Sequence, residues 1–331
     1  TMTRHVGNIV KKLSRLAAIK KNDFVLDIAS NDGTLLNFYN KNITTFGVDP
    51  LVKKFASNYK KINYKISDFF SSKKVKEKAL NKKFKIVTAL SVFYDLRSPN
   101  KFLSDVEELL DRNGIFLLEF ADLASIVKLN MFDTFCHEHL EYYSLSVIHK
   151  MCKKNNLRVF DIKTNNINGG STQIFICKKN GKYLTNHPII KKFSVSEKKL
   201  QLDKKTTFIK FFKRINEIKS RIKNFLEKEK KRKKTIHCYG ASTKGNVLLQ
   251  YFKINNQIID CVAERNPKKY NLFTPGTKIK IVSEKISRAM SPDFYLVLPW
   301  HFKKEILKRE KKAIKKGSKF IFPLPKMSIN S

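Results

Sequence analysis

No two of the five cysteines stand in a CxxC spacing: Cys136, Cys152, Cys177, Cys238 and Cys261 lie apart along the chain. A zinc site of cysteine pairs is therefore not visible, a disulfide framework is not expected, and reduced thiols point to the cytoplasm. No run approaches the roughly 20 apolar residues of a membrane span. The opening "TMTRHVGNIVKKLSRLAAIKKND" lacks the apolar core of a signal peptide and reads as a short amphipathic helix, with Val6, Val10, Leu13 and Leu16 on one side. Acids are scarce: 28 Asp and Glu against 68 Lys and Arg leave a formal net charge of +40. Such an excess fits a nucleic-acid binder. Lysines far outnumber arginines, however, and it is arginine that reads bases and phosphates bidentately. The basic residues are also spread along the whole chain, so a solvated basic surface is expected, with neither a nucleic-acid partner nor a membrane.

The 331 residues, 42% of them hydrophobic, suffice for two domains with substantial cores. Strand-like runs alternate with helical segments. "FVLDI", "TTFGVDP", "INYKISDFF", "FKIVTALSVFYDL" and "IFLLEF" predict five strands of a parallel sheet. "LLNFYN" is expected to continue as a helix after the first turn, a helix is expected at 100–111, and Asn113-Gly114 is expected to turn the chain. "LRVFDIKTN" and "NGGSTQIFICK" are expected to close the sheet as an antiparallel hairpin, a methyltransferase-like layout. From 194 to 234, Phe208, Phe211, Ile215, Ile218, Ile222 and Phe225 recur every three or four residues, predicting one long amphipathic helix with a solvated basic face. A second α/β unit begins with "TIHCYG", "ASTKGN" and "VLLQYF". The expected fold is α/β: a Rossmann-like domain with that methyltransferase-like layout over 1–190, a linker helix over 191–234, and a smaller Rossmann-like domain over 235–331.

Two phosphate-binding signatures fail. The turn "DIASNDG" is not GxGxxG, because Ala29 and Asn31 stand where glycine is expected, and "GASTKGN" ends in Asn246-Val247 where a P-loop has Lys-Ser/Thr. The first unit instead offers acids. Asp49, at the end of the second strand, is placed for ribose hydroxyls, and Asp68-Phe69 for an adenine. Asp27 and Asp32 would repel a pyrophosphate and attract the positively charged S-adenosylmethionine. The candidate cofactor residues are Asp27, Ser30, Asn31, Asp32, Gly33, Asp49, Pro50, Asp68, Phe69 and Ser91.

"DTFCHEHLEYYSL" sets His137, Glu138 and His139 side by side. If the segment is extended, His137, His139 and Glu141 share a side and form a facial metal site; as a proton-transfer cluster it needs no metal; simple packing is the third reading. Tyr142 and Tyr143 read as pocket wall and core. "NINGGST", with Asn168, Gly169, Gly170 and Ser171, is a tight turn that also lets backbone approach a ligand. Gly240, Ser242, Lys244 and Asn246 form a strand–turn–helix suited to a diphosphate, with Arg265 and His301 adding contacts.

Together "VLDIASNDGTLL", "DTFCHEHLEYYSL", "NGGS", "YGASTKGNVLLQ", "ERNPKKYNLFTPGT" and "LVLPWHF" resemble a family of S-adenosylmethionine-dependent C-methyltransferases. Its best-known members methylate carbon 3 of nucleotide-linked 4-keto-6-deoxy sugars. The resemblance covers nearly the whole chain and implies a class I methyltransferase fold for the first domain, S-adenosylmethionine as cofactor, a nucleotide-linked sugar as substrate and a second domain that helps hold that sugar; no catalytic metal is expected. It implies His139 as the base, with Glu138 and His137 beside it. Cys136 stands where well-studied members carry tyrosine. Members usually begin with a zinc-binding module, and "TMTRHV" resembles the segment just after it, so a fragment or a shortened form is expected. The alternatives are a methyltransferase for another small molecule and a basic nucleic-acid-binding Rossmann protein. Against the latter, "ALSVFY" stands where base methylases often place (D/N)PP(Y/F).

Overall fold

The computed structural model describes residues 2–330 and divides into two compact units. The first comprises the chain up to Leu123 with Leu140–Ile167 and Ser171–Leu200; the second comprises Ala124–His139, Asn168–Gly170 and the chain from Gln201 onward.

The first unit is built on a seven-stranded sheet of β1 (Phe24–Ile28), β2 (Thr44–Val48), β3 (Tyr64–Ile66), β4 (Phe84–Leu90), β5 (Leu110–Phe120), β6 (Leu157–Asn165) and β7 (Ser171–Lys178), in the order β3-β2-β1-β4-β5-β7-β6. The first five strands are parallel, and β7 runs antiparallel to both β5 and β6. That order, with its single reversed strand, is the class I methyltransferase topology expected from the sequence. Because both faces are covered, the strands are near-continuous apolar runs whose alternate residues serve opposite cores. Leu26, Val87, Phe116 and Leu118 pack with helices α2 (Ser72–Ala79), α3 (Pro99–Leu109) and α5 (Leu145–Lys154). Val25, Ile86, Ile115 and Leu117 pack with α1 (Met2–Leu16), whose Ile9, Val10 and Leu13 are buried. Between α3 and α5 lies α4 (Leu123–Lys128).

Three local expectations are corrected. "LLNFYN" forms only a 3-10 turn, Leu36–Phe38. The backbone enters it through left-handed residues, and Asn37 Nδ2 donates to the Gly33 and Asn58 carbonyls, offering the chain an alternative to helix. Asn113-Gly114 does not end a strand: β5 is continuous, and the turn signal appears as a bulge where Leu110 pairs with Phe84 and Ile115 with Ile86. The long helix is two: α6 (His187–Leu200) and α7 (Lys205–Lys231). Gln201 breaks them at φ 51°, and its carbonyl accepts from Lys204 N and Thr207 Oγ1. The apolar stripe of α7 does pack, with Phe211, Ile215, Ile222 and Leu226 all buried.

The second unit holds β8 (Ile236–Tyr239), β9 (Cys261–Glu264), β10 (Ile281–Ser283), β11 (Phe294–Val297), β12 (Lys319–Phe322) and β13 (Ser328–Asn330), ordered β10-β9-β8-β11-β12-β13. Only β13 is antiparallel, and α8 (Thr243–Phe252) follows β8. This is a second Rossmann-like sheet. Among the described residues no helix is long and apolar enough to cross a membrane.

Candidate active site

In the first unit the turn after β1 passes through Ala29 at φ 55°, Asn31 at φ 48° and Gly33 at φ 73°. The two positions where the sequence departs from glycine therefore adopt the glycine-like conformation all the same, at a cost of roughly 1–2 kcal/mol for the alanine. Glycine is favoured at 33 by the positive φ and the close packing, since an added Cβ would lie 2.8 Å from Ile62 Cδ1 and 3.2 Å from the Tyr59 ring. The turn is pinned from two sides. Asp49 accepts from Asn31 N at 3.0 Å and from Leu51 N at 2.7 Å. Tyr59 donates to the Asn31 carbonyl at 3.0 Å and meets Ser30 Oγ at 2.8 Å. A phenol has one proton and that carbonyl can only accept, so Ser30 donates to Tyr59. The Ser30 hydroxyl thus braces the turn.

Beside this turn lies a cleft of about 670 Å³ lined by Ala29, Asp49, Pro50, Asp68 and Phe69, among others. Phe69 is 78% exposed, an unusual cost for a phenyl ring that has no partner to stack on. Asp68 accepts from Lys74 and from Phe69 N, and the Lys74 contact holds its carboxyl below the usual range. Asp32 accepts from Thr34 N at 3.0 Å. Asp27 is buried and accepts from Thr88 Oγ1 at 2.5 Å. Burial pushes it up to about 7; the Thr88 bond opposes this, while Asp49 and Asp32 add to it. Ser91, at φ 56°, donates its N–H to the Glu119 carbonyl at 2.8 Å. The arrangement fits S-adenosylmethionine: a carboxylate held at the end of β2, an exposed ring, and acids without a phosphate cradle. Sequence reasoning missed Asp95 and Arg97 on the cleft wall, and it missed the buried pairing of Glu119 with His5. The buried Glu119 carboxylate accepts from Gln173 Nε2 at 2.7 Å and meets His5 Nε2 at 2.8 Å; it lies 114 positions from His5, so no local pattern could show the pair.

Two expected substrate residues also fall in the first unit. Ser171 is buried and donates to the Ile167 carbonyl at 3.0 Å, and Tyr142 is half-buried. Tyr143 is core, its ring 4.9 Å from that of Phe93.

The second unit brings His137–His139 together with Asn168–Gly170, Lys244 and His301. The histidine segment is a turn closed by His139 N donating to the Cys136 carbonyl at 3.1 Å, so the extended alternation that a His137–His139–Glu141 metal site needs is not formed. Among the described residues no group of three or more His, Cys, Asp or Glu side chains is placed to hold a metal ion. His137 and Glu138 are exposed; His139 is half-buried, with Nδ1 3.4 Å from Thr134 Oγ1. Burial holds the His139 imidazole below its ordinary value, and the charge of Lys244 acts in the same direction; a hydrogen bond to the Thr134 backbone and the charge of Glu138 oppose them. Lys244 donates to the Asn168 carbonyl at 3.1 Å. His301 is pushed down to about 3 by burial and, secondarily, by Lys244. Gly169, at φ 94°, permits Trp300 to lie against the backbone, since a Cβ would meet Trp300 Cη2 at 2.7 Å. Trp300 Nε1 in turn donates to Asp133 Oδ2 at 2.8 Å. Ser242 caps α8 by accepting from Gly245 N at 3.0 Å, Gly240 packs on Pro299, and Arg265 is exposed. Asn246 Oδ1 is buried without a partner.

Fold, cleft and turn together define a class I S-adenosylmethionine-dependent methyltransferase. Residues 2–162 match the model of a methyltransferase domain, and residues 166–325 match that of the C-methyltransferase C-terminal domain. Each match spans just under half of the chain, and the order of the two is that of C-methyltransferases joining a methyltransferase domain to this C-terminal domain. It is similar to the C-methyltransferase NovU of Streptomyces niveus, at 26% identity over 333 residues, covering 100% of this chain and 79% of the relative. Among solved structures it is similar to magnesium protoporphyrin IX methyltransferase from Synechocystis with bound S-adenosylhomocysteine, at 15% identity and a TM-score of 0.40, covering 54% of this chain and 83% of the other. It is also similar to a methyltransferase from Clostridium acetobutylicum, at 12% identity and a TM-score of 0.42, covering 53% and 91%.

Proposed function

We propose that this C-methyltransferase works in the cytoplasm on a carbon alpha to a ketone in a nucleotide-activated deoxy sugar, with His139 as general base. The observation that carries this is the state of His139: half-buried on a closed turn, within reach of the charge of Lys244, held below its ordinary pKa and therefore neutral at pH 7. A carbon acid beside a ketone yields its proton only to a placed base. His139 takes that proton, the C–H electron pair moves toward the ketone oxygen, and the alpha carbon becomes electron-rich. S-adenosylmethionine, held by Asp49 and the residues of its cleft, supplies an electrophilic methyl group when bound. Glu138 and His137 flank the base. Asn168–Gly170, Gly240, Ser242, Lys244, Asn246, Arg265 and His301 are the residues we assign to the nucleotide sugar. The test is exchange of the alpha proton with heavy water across a panel of nucleotide-linked keto sugars, without cofactor. Exchange confined to keto sugars supports the proposal; exchange of none rejects it.

A further inference from the structure

An enolate needs a partner for its oxygen as much as its carbon needs a base. Resting on the function proposed above, we propose that Lys244 is a catalytic residue whose ammonium receives the ketone oxygen and stabilises the negative charge that forms there when His139 removes the alpha proton. A strand–turn–helix lysine would ordinarily be assigned to a diphosphate. The geometry here argues otherwise.

Lys244 is half-buried and turned toward the Asn168 carbonyl, at 3.1 Å, instead of lying out in solvent over the helix end. Its charge is felt by three groups from three other segments: Asp133 on the Phe132–Thr134 turn, His139 on the histidine turn, and His301. The packing that brings them there is firm, since Phe132 stacks on Phe252 of α8 at 5.1 Å and Asp133 holds the Trp300 indole at 2.8 Å. Lys244 is thus a cation whose charge reaches the proposed base.

The neighbours decide between a diphosphate and an enolate. Asp133 is 1% exposed, and a diphosphate would bring more than one full negative charge to a buried carboxyl beside a single lysine. An enolate brings one, and only as the proton leaves. Asp133 Oδ1 and His301 Nδ1 are also buried without hydrogen-bond partners. Burial pushes the Asp133 carboxyl up while Lys244 opposes it, so a multiply charged anion beside it is disfavoured, whereas a sugar hydroxyl satisfies its open oxygen without adding charge. The electron balance is simple: the C–H bond breaks, its proton goes to His139, the pair forms the C=C bond of the enolate, and the carbonyl π pair comes to rest on the oxygen facing Lys244.

The experiment compares wild-type protein with Lys244→Met and Lys244→Arg in two assays. The first is alpha-proton exchange of a saturating nucleotide-linked keto sugar in heavy water without cofactor. The second is calorimetric binding of a nucleoside diphosphate. Unchanged affinity for S-adenosylhomocysteine certifies the fold of each variant. Lys244→Met should slow exchange by about 100- to 1,000-fold, the loss typical of one oxyanion donor, with diphosphate affinity little changed; Lys244→Arg should recover part of the rate. Wild-type exchange in Lys244→Met, with weakened diphosphate binding, overturns the proposal and returns Lys244 to the diphosphate. Should Lys244→Met fail to fold, a wild-type exchange rate in Lys244→Arg overturns it, because a guanidinium cannot hold the same point contact. If wild-type protein exchanges no keto sugar at all, the base assignment itself has failed, and the role of Lys244 falls with it.

Discussion

Asp49 Oδ2 accepts the Asn31 N–H at 3.0 Å, tying the end of β2 to the turn after β1. The second unit repeats the device: Glu264, ending β9, accepts the Ala241 N–H from the turn after β8 at 2.7 Å. In each sheet an acid at the tip of one strand fixes the loop leaving the next, and its remaining lone pairs stay available for a ligand's hydroxyls.

Asp49→Ala should therefore weaken S-adenosylhomocysteine binding. Hydrogen bonds to a charged group are worth about 1.5–3 kcal/mol, or roughly 10- to 100-fold in affinity. Calorimetry on the folded variant measures it, and an unchanged affinity would remove Asp49 from the cofactor site.

Asp27 carries a pH dependence. Its carboxyl is pushed up to about 7 by burial, so between its unfolded value near 4 and that figure the native state holds a proton that the unfolded chain has released. Stability should accordingly fall as pH rises through this window, by at most about 1.4 kcal/mol per pH unit from this group. Asp27→Asn should flatten that part of the profile. Urea denaturation between about pH 4.5 and pH 7.5 checks the sign: a variant whose slope matches wild type would show that Asp27 does not titrate in this range.

The parallel sheets were legible because strands buried on both faces are apolar runs, and "FVLDI" or "FYLV" admits few other placements. What was illegible is where backbone strain or distant pairing decides. Ala29 suggests no left-handed turn, yet the turn it opens is held by Asp49 and Tyr59 through Asn31. Gln201 lies within a helical periodicity that does not register a break. The histidine triplet did not give its geometry, since a turn and a strand of the same residues present different faces. Lys244 and Asn168 are 76 positions apart, and only folding puts the ammonium on that carbonyl.

Arg265 tests the nucleotide end of the proposed substrate site. It is exposed, and its backbone N–H is held by Glu264 Oε1 at 2.8 Å, which leaves the guanidinium free of any role in that bond. Arg265→Ala should weaken a nucleoside diphosphate about tenfold, the scale of one charge-assisted hydrogen bond, and leave S-adenosylhomocysteine binding as it was. If both affinities are unchanged, Arg265 does not contact the nucleotide.

His139 as base makes a demand on both rate and pH. A positioned base contributes about 100- to 10,000-fold to proton transfer, so His139→Ala should slow alpha-proton exchange within that range while S-adenosylhomocysteine affinity holds. Only the neutral ring can accept the proton, and burial and Lys244 both keep the ring below its ordinary value. Exchange should therefore be flat around pH 7 and fall on the acidic side as the imidazole protonates. In Lys244→Met the fall should begin at higher pH, because one of the groups depressing the ring is gone. Glu138→Gln should shift it the other way by a small amount, since the Glu138 charge favours the protonated ring. A profile that rises toward acid, or a His139→Ala variant with wild-type exchange, would move the base elsewhere, and His137 on the same turn is the residue to test next.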